Sequence, residues 1–196
     1  MGHAIEQADH LGGYWIGGSP GTYTPRLWDE FIRQYEIKSV LDIGCGEGHS
    51  TIYFVQMGLE VLGIEGGEKA VRNNKAQGHV IQHDYLKGSY KPSLIYDMGW
   101  CAEFVEHVDE SYKANFLETF KSCKYLLMTH AVPGQSGYHH VNCQKADYWI
   151  HEMEMIGFTF MESESLRYRN LTDESKVLAE YNWTKKTLMI FKSNSL

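Results

Sequence analysis

Residues 41–48 read Leu41-Asp42-Ile43-Gly44-Cys45-Gly46-Glu47-Gly48, an apolar run that passes directly into a glycine-spaced turn. Val40, Leu41 and Ile43 supply a strand, while Gly44, Gly46 and Gly48 remove side chains where the backbone has to turn sharply. Bare backbone there lets a ligand approach main-chain N–H groups at the start of the next segment. That segment opens with His49-Ser50-Thr51-Ile52, and Val55 continues it at helical spacing. Strand, glycine turn and helix in that order is the context that makes such a motif credible.

Downstream, Glu60-Val61-Leu62-Gly63-Ile64-Glu65 reads as a second strand ending in an acid. It falls about twenty residues after the glycines, where a carboxylate meets the ribose of a bound nucleoside. The glycines are spaced G-x-G-x-G, not the G-x-G-x-x-G of a dinucleotide pyrophosphate site, and Asp42 is a charge ill-suited to neighbouring phosphates. An acid there suits a cofactor carrying an ammonium and a sulfonium. On residues 41–48 the chain resembles the class I S-adenosylmethionine (SAM)-dependent methyltransferases.

The rest of the pattern alternates short apolar runs with helical stretches. A helix is expected over 25–35, with Pro25 at its start and Leu27, Phe31 and Ile32 on one side. Strands are expected at 39–43, 61–64, 79–83, 93–101 and 125–128, and helices at 50–57, 68–74, 111–121 and 143–156. Gly157 would end the last of these helices. Two more strands, 158–161 and 187–191, have no helix-length pattern between them, so they read as an antiparallel hairpin. The intervening 162–183, with Tyr168, Tyr181 and Trp183, reads as an extended loop or as a wall of an acceptor pocket. The alternation predicts an α/β fold, a mostly parallel sheet covered on both faces. The resemblance makes it the Rossmann-like, seven-stranded class I methyltransferase sheet, over residues 25–192. Residues 1–24, glycine-rich around Tyr14 and Trp15, read as a flap or a disordered leader ahead of a single domain at 25–196.

Composition narrows the function classes. A net charge of −7 argues against broad nucleic-acid binding, which needs clustered Lys and Arg, and leaves a small-molecule acceptor as the expected partner. No run of about eighteen apolar residues is present to span a membrane. Glu6, Asp9 and several glycines do not read as a signal peptide. Cys45, Cys101, Cys123 and Cys143 form no C-x-x-C pair and read as free thiols, so the cytoplasm is the expected compartment.

Ligands in such sheets bind outside the carboxyl ends of the strands. The resemblance therefore implies that Gly44 and Gly46 face the methionine part of SAM, that Asp42 holds its ammonium, and that Glu65 takes the ribose. Asp84 would meet the adenine amino group with Tyr85 beside the ring; its competing reading is a turn-initiating aspartate. Trp100 and Cys101, ending the fourth strand, would pass beside the cofactor.

Directly after comes Glu103-Phe104-Val105-Glu106-His107. Glu103, Glu106 and His107 stand at i, i+3 and i+4 and would share a face on one helical turn. Two carboxylates that close repel, and a divalent cation offsets the repulsion. The loop 132–142 holds His139 and His140, either of which would complete a two-carboxylate, two-histidine set. This arrangement is similar to two metal-dependent O-methyltransferase groups, the Hen-type small-RNA and the ubiquinone-pathway enzymes. That similarity implies Glu103, Glu106, His107 and His140 as ligands for Mn, Fe, Zn or Mg. The competing readings are a metal-independent enzyme with His107, His139 or His140 as general base, a nucleotide-binding oxidoreductase, and a SAM-binding protein without chemistry.

Overall fold

The computed structural model describes residues 4–5, 10–172 and 181–196. A short antiparallel ribbon, β1 (Ala4–Ile5) and β2 (Tyr14–Trp15), lies apart from the main sheet. That sheet holds seven strands: β3 (Ser39–Ile43), β4 (Glu60–Glu65), β5 (Val80–Gln82), β6 (Tyr96–Cys101), β7 (Cys123–Met128), β8 (Phe158–Phe160) and β9 (Met189–Ser193). Their order is β5-β4-β3-β6-β7-β9-β8. The five strands from β5 to β7 run parallel, and β9 runs antiparallel to both its neighbours. The direction of strand order reverses between β3 and β6, so the carboxyl ends of these two strands flank the crevice where such sheets bind ligands.

All five residues of β3 are buried, the signature of a central strand covered on both faces. The two-residue side-chain period divides its apolar residues between two cores. Val40, with Val61, Met98 and Trp100, packs under helices α1 (Pro25–Gln34) and α2 (His49–Gln56) through Trp28, Phe31 and Phe54. Leu41 and Ile43 pack on the other side, under α4 (Lys113–Phe120) and α5 (Ala146–Met155), through Phe116, Phe120 and Trp149. A short α3 (Glu68–Asn73) links β4 to β5. Gly157, at φ +89°, stops α5 as expected; its amide bonds Glu154 O at 3.0 Å. Among the described residues, no helix is long and apolar enough to cross a membrane.

The C-terminal strands pair antiparallel as expected, but they are not a simple hairpin. The last strand, β9, inserts between β7 and β8, and the connection contains α6 (Glu162–Arg169) and α7 (Trp183–Thr187). The loop expected at 162–183 is therefore corrected at both ends, and 173–180 lies outside the described residues. Helix α6 buries only Ser165 and Tyr168, which is why no apolar period marks it. Ser165 Oγ donates to Met161 O at 2.8 Å and accepts from Ile190 N at 2.9 Å, while Tyr168 packs edge-on against Phe31. The boundaries of β6 and α5 are also tighter than expected, beginning at Tyr96 and Ala146.

Candidate functional site

The glycine turn leaves β3 with Gly44 at φ +72° and Gly48 at φ +74°. At both positions a side chain is excluded twice over. The backbone is left-handed, and a Cβ on Gly44 would come 2.6 Å from the Phe104 ring, with one on Gly48 overlapping the Asn74 amide. Gly44 N and Cys45 N both donate to Ile64 O, at 2.9 and 3.1 Å, which ties the turn to the end of β4. The next residue, Glu65, accepts from Gly46 N at 2.9 Å and from Gly67 N at 2.7 Å. Asp42 is buried, and its Oδ2 accepts from the Ser50 and Thr51 hydroxyls at 2.7 Å each. Burial dominates these hydroxyls and raises the Asp42 carboxyl to about 6.

These groups open onto a cavity of about 300 Å³, at the small end of the range for small-molecule sites. Asp42, Gly44, Gly46, Glu65, Asp84 and Trp100 all line it, so the strand-end residues expected to meet a cofactor come together. Asp84 does two things. Its Oδ1 accepts from Leu86 N at 3.0 Å and caps the single 3₁₀ turn Tyr85–Lys87; its Oδ2 lies 2.8 Å from His10 Nε2 and 3.4 Å from Lys87 Nζ. Burial alone would raise this carboxyl, but His10, the Leu86 amide and Lys87 hold it below the ordinary value. Tyr85 lines the cavity, and its hydroxyl donates to Thr119 Oγ1 at 3.1 Å. Cys101 does not line the cavity. The strand alternation that turns Trp100 toward it turns Cys101 into the opposite core, which corrects that expectation.

Next to this cavity Glu106, His107 and His140 converge, though not on the expected helical turn, and Glu103 stands outside their group. Glu103 sits at φ +50° in the link after β6, and Val105–His107 forms a single 3₁₀ turn. Glu106, His107 and His140 each bring a ligand atom within 4.8 Å of the others. Glu106 is fully buried, and neither of its oxygens accepts a hydrogen bond of normal geometry. Burial first, and then the Glu103 charge beside it, push its carboxyl well above the ordinary range. Glu103 lines the same cavity and accepts from Thr129 Oγ1 at 2.7 Å.

Both imidazoles are oriented by backbone carbonyls. His107 Nδ1 lies 3.3 Å from His139 O, and His140 Nδ1 lies 3.2 Å from Gln135 O. A carbonyl can only accept, so each Nδ1 carries the proton and each Nε2 keeps its lone pair, the tautomer of a metal-binding histidine. Burial, then the neighbouring His140, lowers His107 to about 4, and burial lowers His140 as well, so both rings are neutral at pH 7. The loop is seated on the 3₁₀ turn by Val141 N and Asn142 N, which donate to Glu106 O at 2.9 and 3.0 Å. Of the two loop histidines, His140 enters the cluster, while His139 supplies only its carbonyl; its ring lines no part of the cavity.

The flap is the part that the residue pattern left open. Residues 10–23 lie over the cavity, bringing Gly12 against the His107 ring and Tyr14 against Gly46, and Gly17 N donates to Glu47 Oε2 at 2.9 Å. No local signal marks His10 or Tyr14 as site residues, because what they meet, Asp84 and Gly46, lies far away in sequence.

Residues 41–126 match the methyltransferase domain family. Over 98 residues the chain is 31% identical to the ubiquinone biosynthesis O-methyltransferase of Nitrosospira multiformis, a match covering 45% of this chain and 38% of that protein. The corresponding protein of Leptothrix cholodnii is 32% identical over 81 residues, covering 36% of this chain and 34% of the relative. The matched stretch thus spans little more than a third of these relatives' length. In fold, the chain is similar to a SAM-dependent methyltransferase from Archaeoglobus fulgidus, with a TM-score of 0.57 at 19% identity over 90% of this chain and 96% of that one. It is also similar to the methyltransferase domain of bacterial CtHen1, with a TM-score of 0.57 at 15% identity over 86% and 96% of the two chains. The cyclase SpnF shares the fold too, with a TM-score of 0.55 at 13% identity over 98% and 87%. Because a cyclase has this fold, the reaction has to be argued from the site.

Proposed function

We propose that this chain, a class I SAM-dependent methyltransferase in fold and in its matched domain, methylates a small-molecule hydroxyl that is gripped by a divalent cation. The observation carrying this reading is the Glu106 carboxyl, fully buried, reached by no hydrogen bond of normal geometry, and grouped with two neutral imidazoles. An uncompensated buried acid is costly, and a cation held by Glu106, His107 and His140, with Glu103 beside Glu106 joining as a fourth ligand by a side-chain shift, removes the cost. Two nitrogen and two oxygen donors suit Mn, Fe or Zn, and Mg less well. The matched ubiquinone-pathway relatives are O-methyltransferases by name, which supports oxygen as the acceptor atom.

The cofactor side fits SAM on its own geometry. Asp42 faces the turn as a partner for the ammonium, Glu65 stands at the end of β4 for the ribose hydroxyls, and the left-handed glycines leave room for the chain of the amino acid. When bound, SAM supplies a methyl group already activated on a sulfonium. The protein's tasks are then to align the acceptor, exclude water and lower the acceptor's proton affinity. A divalent ion at the cluster supplies the last by Lewis acidity and favours an acceptor with two adjacent oxygens. Phe104, Trp100 and Tyr14 also line the cavity, and their rings would limit water around the reacting atoms. A metal-free reading with His107 as general base is weaker, because a ring lowered to about 4 binds a proton poorly at neutral pH.

The test is transfer of labelled methyl from SAM to catechol and simple 1,2-diols. Treatment with EDTA is expected to abolish turnover and added Mn to restore it; undiminished turnover in EDTA would remove the metal from the account.

An adenine amino group would compete with His10 for the Asp84 carboxylate. His10→Ala is therefore expected to tighten binding of S-adenosylhomocysteine (SAH), the demethylated product, measured by calorimetry. The partly exposed pair is worth roughly 0.5–1 kcal/mol, about a two- to fivefold change. Weaker SAH binding in this variant would instead make His10 a ligand contact.

A further inference from the structure

Three polar side-chain atoms around the cavity are shielded from solvent and have no hydrogen-bond partner among the described residues: Tyr14 Oη, Trp28 Nε1 and His49 Nε2. Tyr14 is 6% exposed and Trp28 0%, so water does not satisfy them. They come from three separate elements. Tyr14 descends from the flap, its Cβ 3.6 Å from where a Cβ on Gly46 would stand; Trp28 lies in α1; His49 is the first residue of α2. Helix α2 has no side-chain cap, since Gly48 occupies its N-cap, and its first amides therefore add to the same donor field. Two acids share this rim. Asp42 is bound by Ser50 and Thr51, and Glu47 accepts from Gly17 N, which anchors the flap; Glu47 Oε2 is 3.6 Å from His49 Nε2, beyond hydrogen-bond length.

An acid next to acceptorless donors (Tyr14 Oη–H, Trp28 Nε1–H and, in the tautomer protonated there, His49 Nε2–H) is the complement of a zwitterion, with the ammonium toward Asp42 and the carboxylate toward the donors. We propose that Tyr14, His49 and Trp28, with the first turn of α2, form the subsite for the amino-acid carboxylate of SAM. The flap is then part of the cofactor site and not only its cover. This inference rests on the SAM reading above and assigns that reading's missing contacts.

The test compares SAH with 5′-deoxy-5′-(3-aminopropylthio)adenosine, the same molecule without its carboxylate, by calorimetry on the full chain. The wild type is expected to prefer SAH. Tyr14→Phe is expected to lower SAH affinity roughly tenfold, the value of one hydrogen bond to a charged group, while leaving the decarboxylated ligand unchanged. His49→Gln should act in the same direction. Thermal unfolding without ligand shows whether either variant is simply misfolded. Equal binding of the two ligands by the wild type would overturn the subsite, as would variants that weaken both ligands alike. If the wild type binds neither ligand, the SAM reading itself fails and the subsite falls with it.

Discussion

Replacing Glu106 with leucine is expected to abolish methyl transfer while making the metal-free protein more stable. The two effects have one cause. Glu106 is fully buried, no hydrogen bond of normal geometry reaches its oxygens, and the Glu103 charge opposes its ionisation. A buried polar group without a partner costs about 1–3 kcal/mol, so an apolar residue of similar volume should recover roughly that much in the absence of metal. The same carboxylate is the buried member of the proposed ligand set, and losing several kcal/mol of charge stabilisation at the acceptor corresponds to about two to four orders of magnitude in rate. Denaturant unfolding in EDTA and turnover in Mn measure the two halves. A variant that is both active and less stable would identify Glu106 as an ordinary structural acid.

The second large effect is expected at Glu65. Its carboxylate accepts from Gly46 N and Gly67 N, so it braces the glycine turn while facing the cavity. Glu65→Ala removes the ribose partner and leaves two turn amides without their acceptor. With each of two hydrogen bonds to a charged group worth about 1.5–3 kcal/mol, SAH affinity should fall roughly a hundredfold to ten-thousandfold. Glu65→Gln keeps one acceptor oxygen and should fall between the two. An unchanged SAH affinity in the alanine variant would show that the end of β4 does not meet the cofactor.

What could be read in advance follows from how local each signal is. The strand at 39–43 is marked by its own apolar run, and the helix at Pro25–Gln34 by proline at its start and apolar residues on one face. The glycine turn is legible because left-handed backbone and close approach demand glycine. In contrast, α6 is held by Ser165 bonding the backbone of β9 and by Tyr168 against α1, contacts that no window of sequence contains. The spacing of Glu103, Glu106 and His107 was only partly informative. An α-helical turn was expected, whereas a 3₁₀ turn brings Glu106 and His107 together with His140 and a left-handed Glu103 stands outside that group. The choice between His139 and His140 depended on which ring the loop turns inward. Cys101 was recoverable, since Trp100 and its successor on a strand cannot face the same side.

The central claim is that one cavity holds SAM beside a divalent cation. It is tested most directly by a crystal grown with SAH and Mn, with data collected at the Mn absorption edge. The account predicts one anomalous peak within bonding distance of Glu106, His107 and His140, and SAH along the glycine turn with its ribose at Glu65. SAH in place with no peak at that cluster would contradict the metal half of the account, and SAH bound elsewhere would contradict all of it.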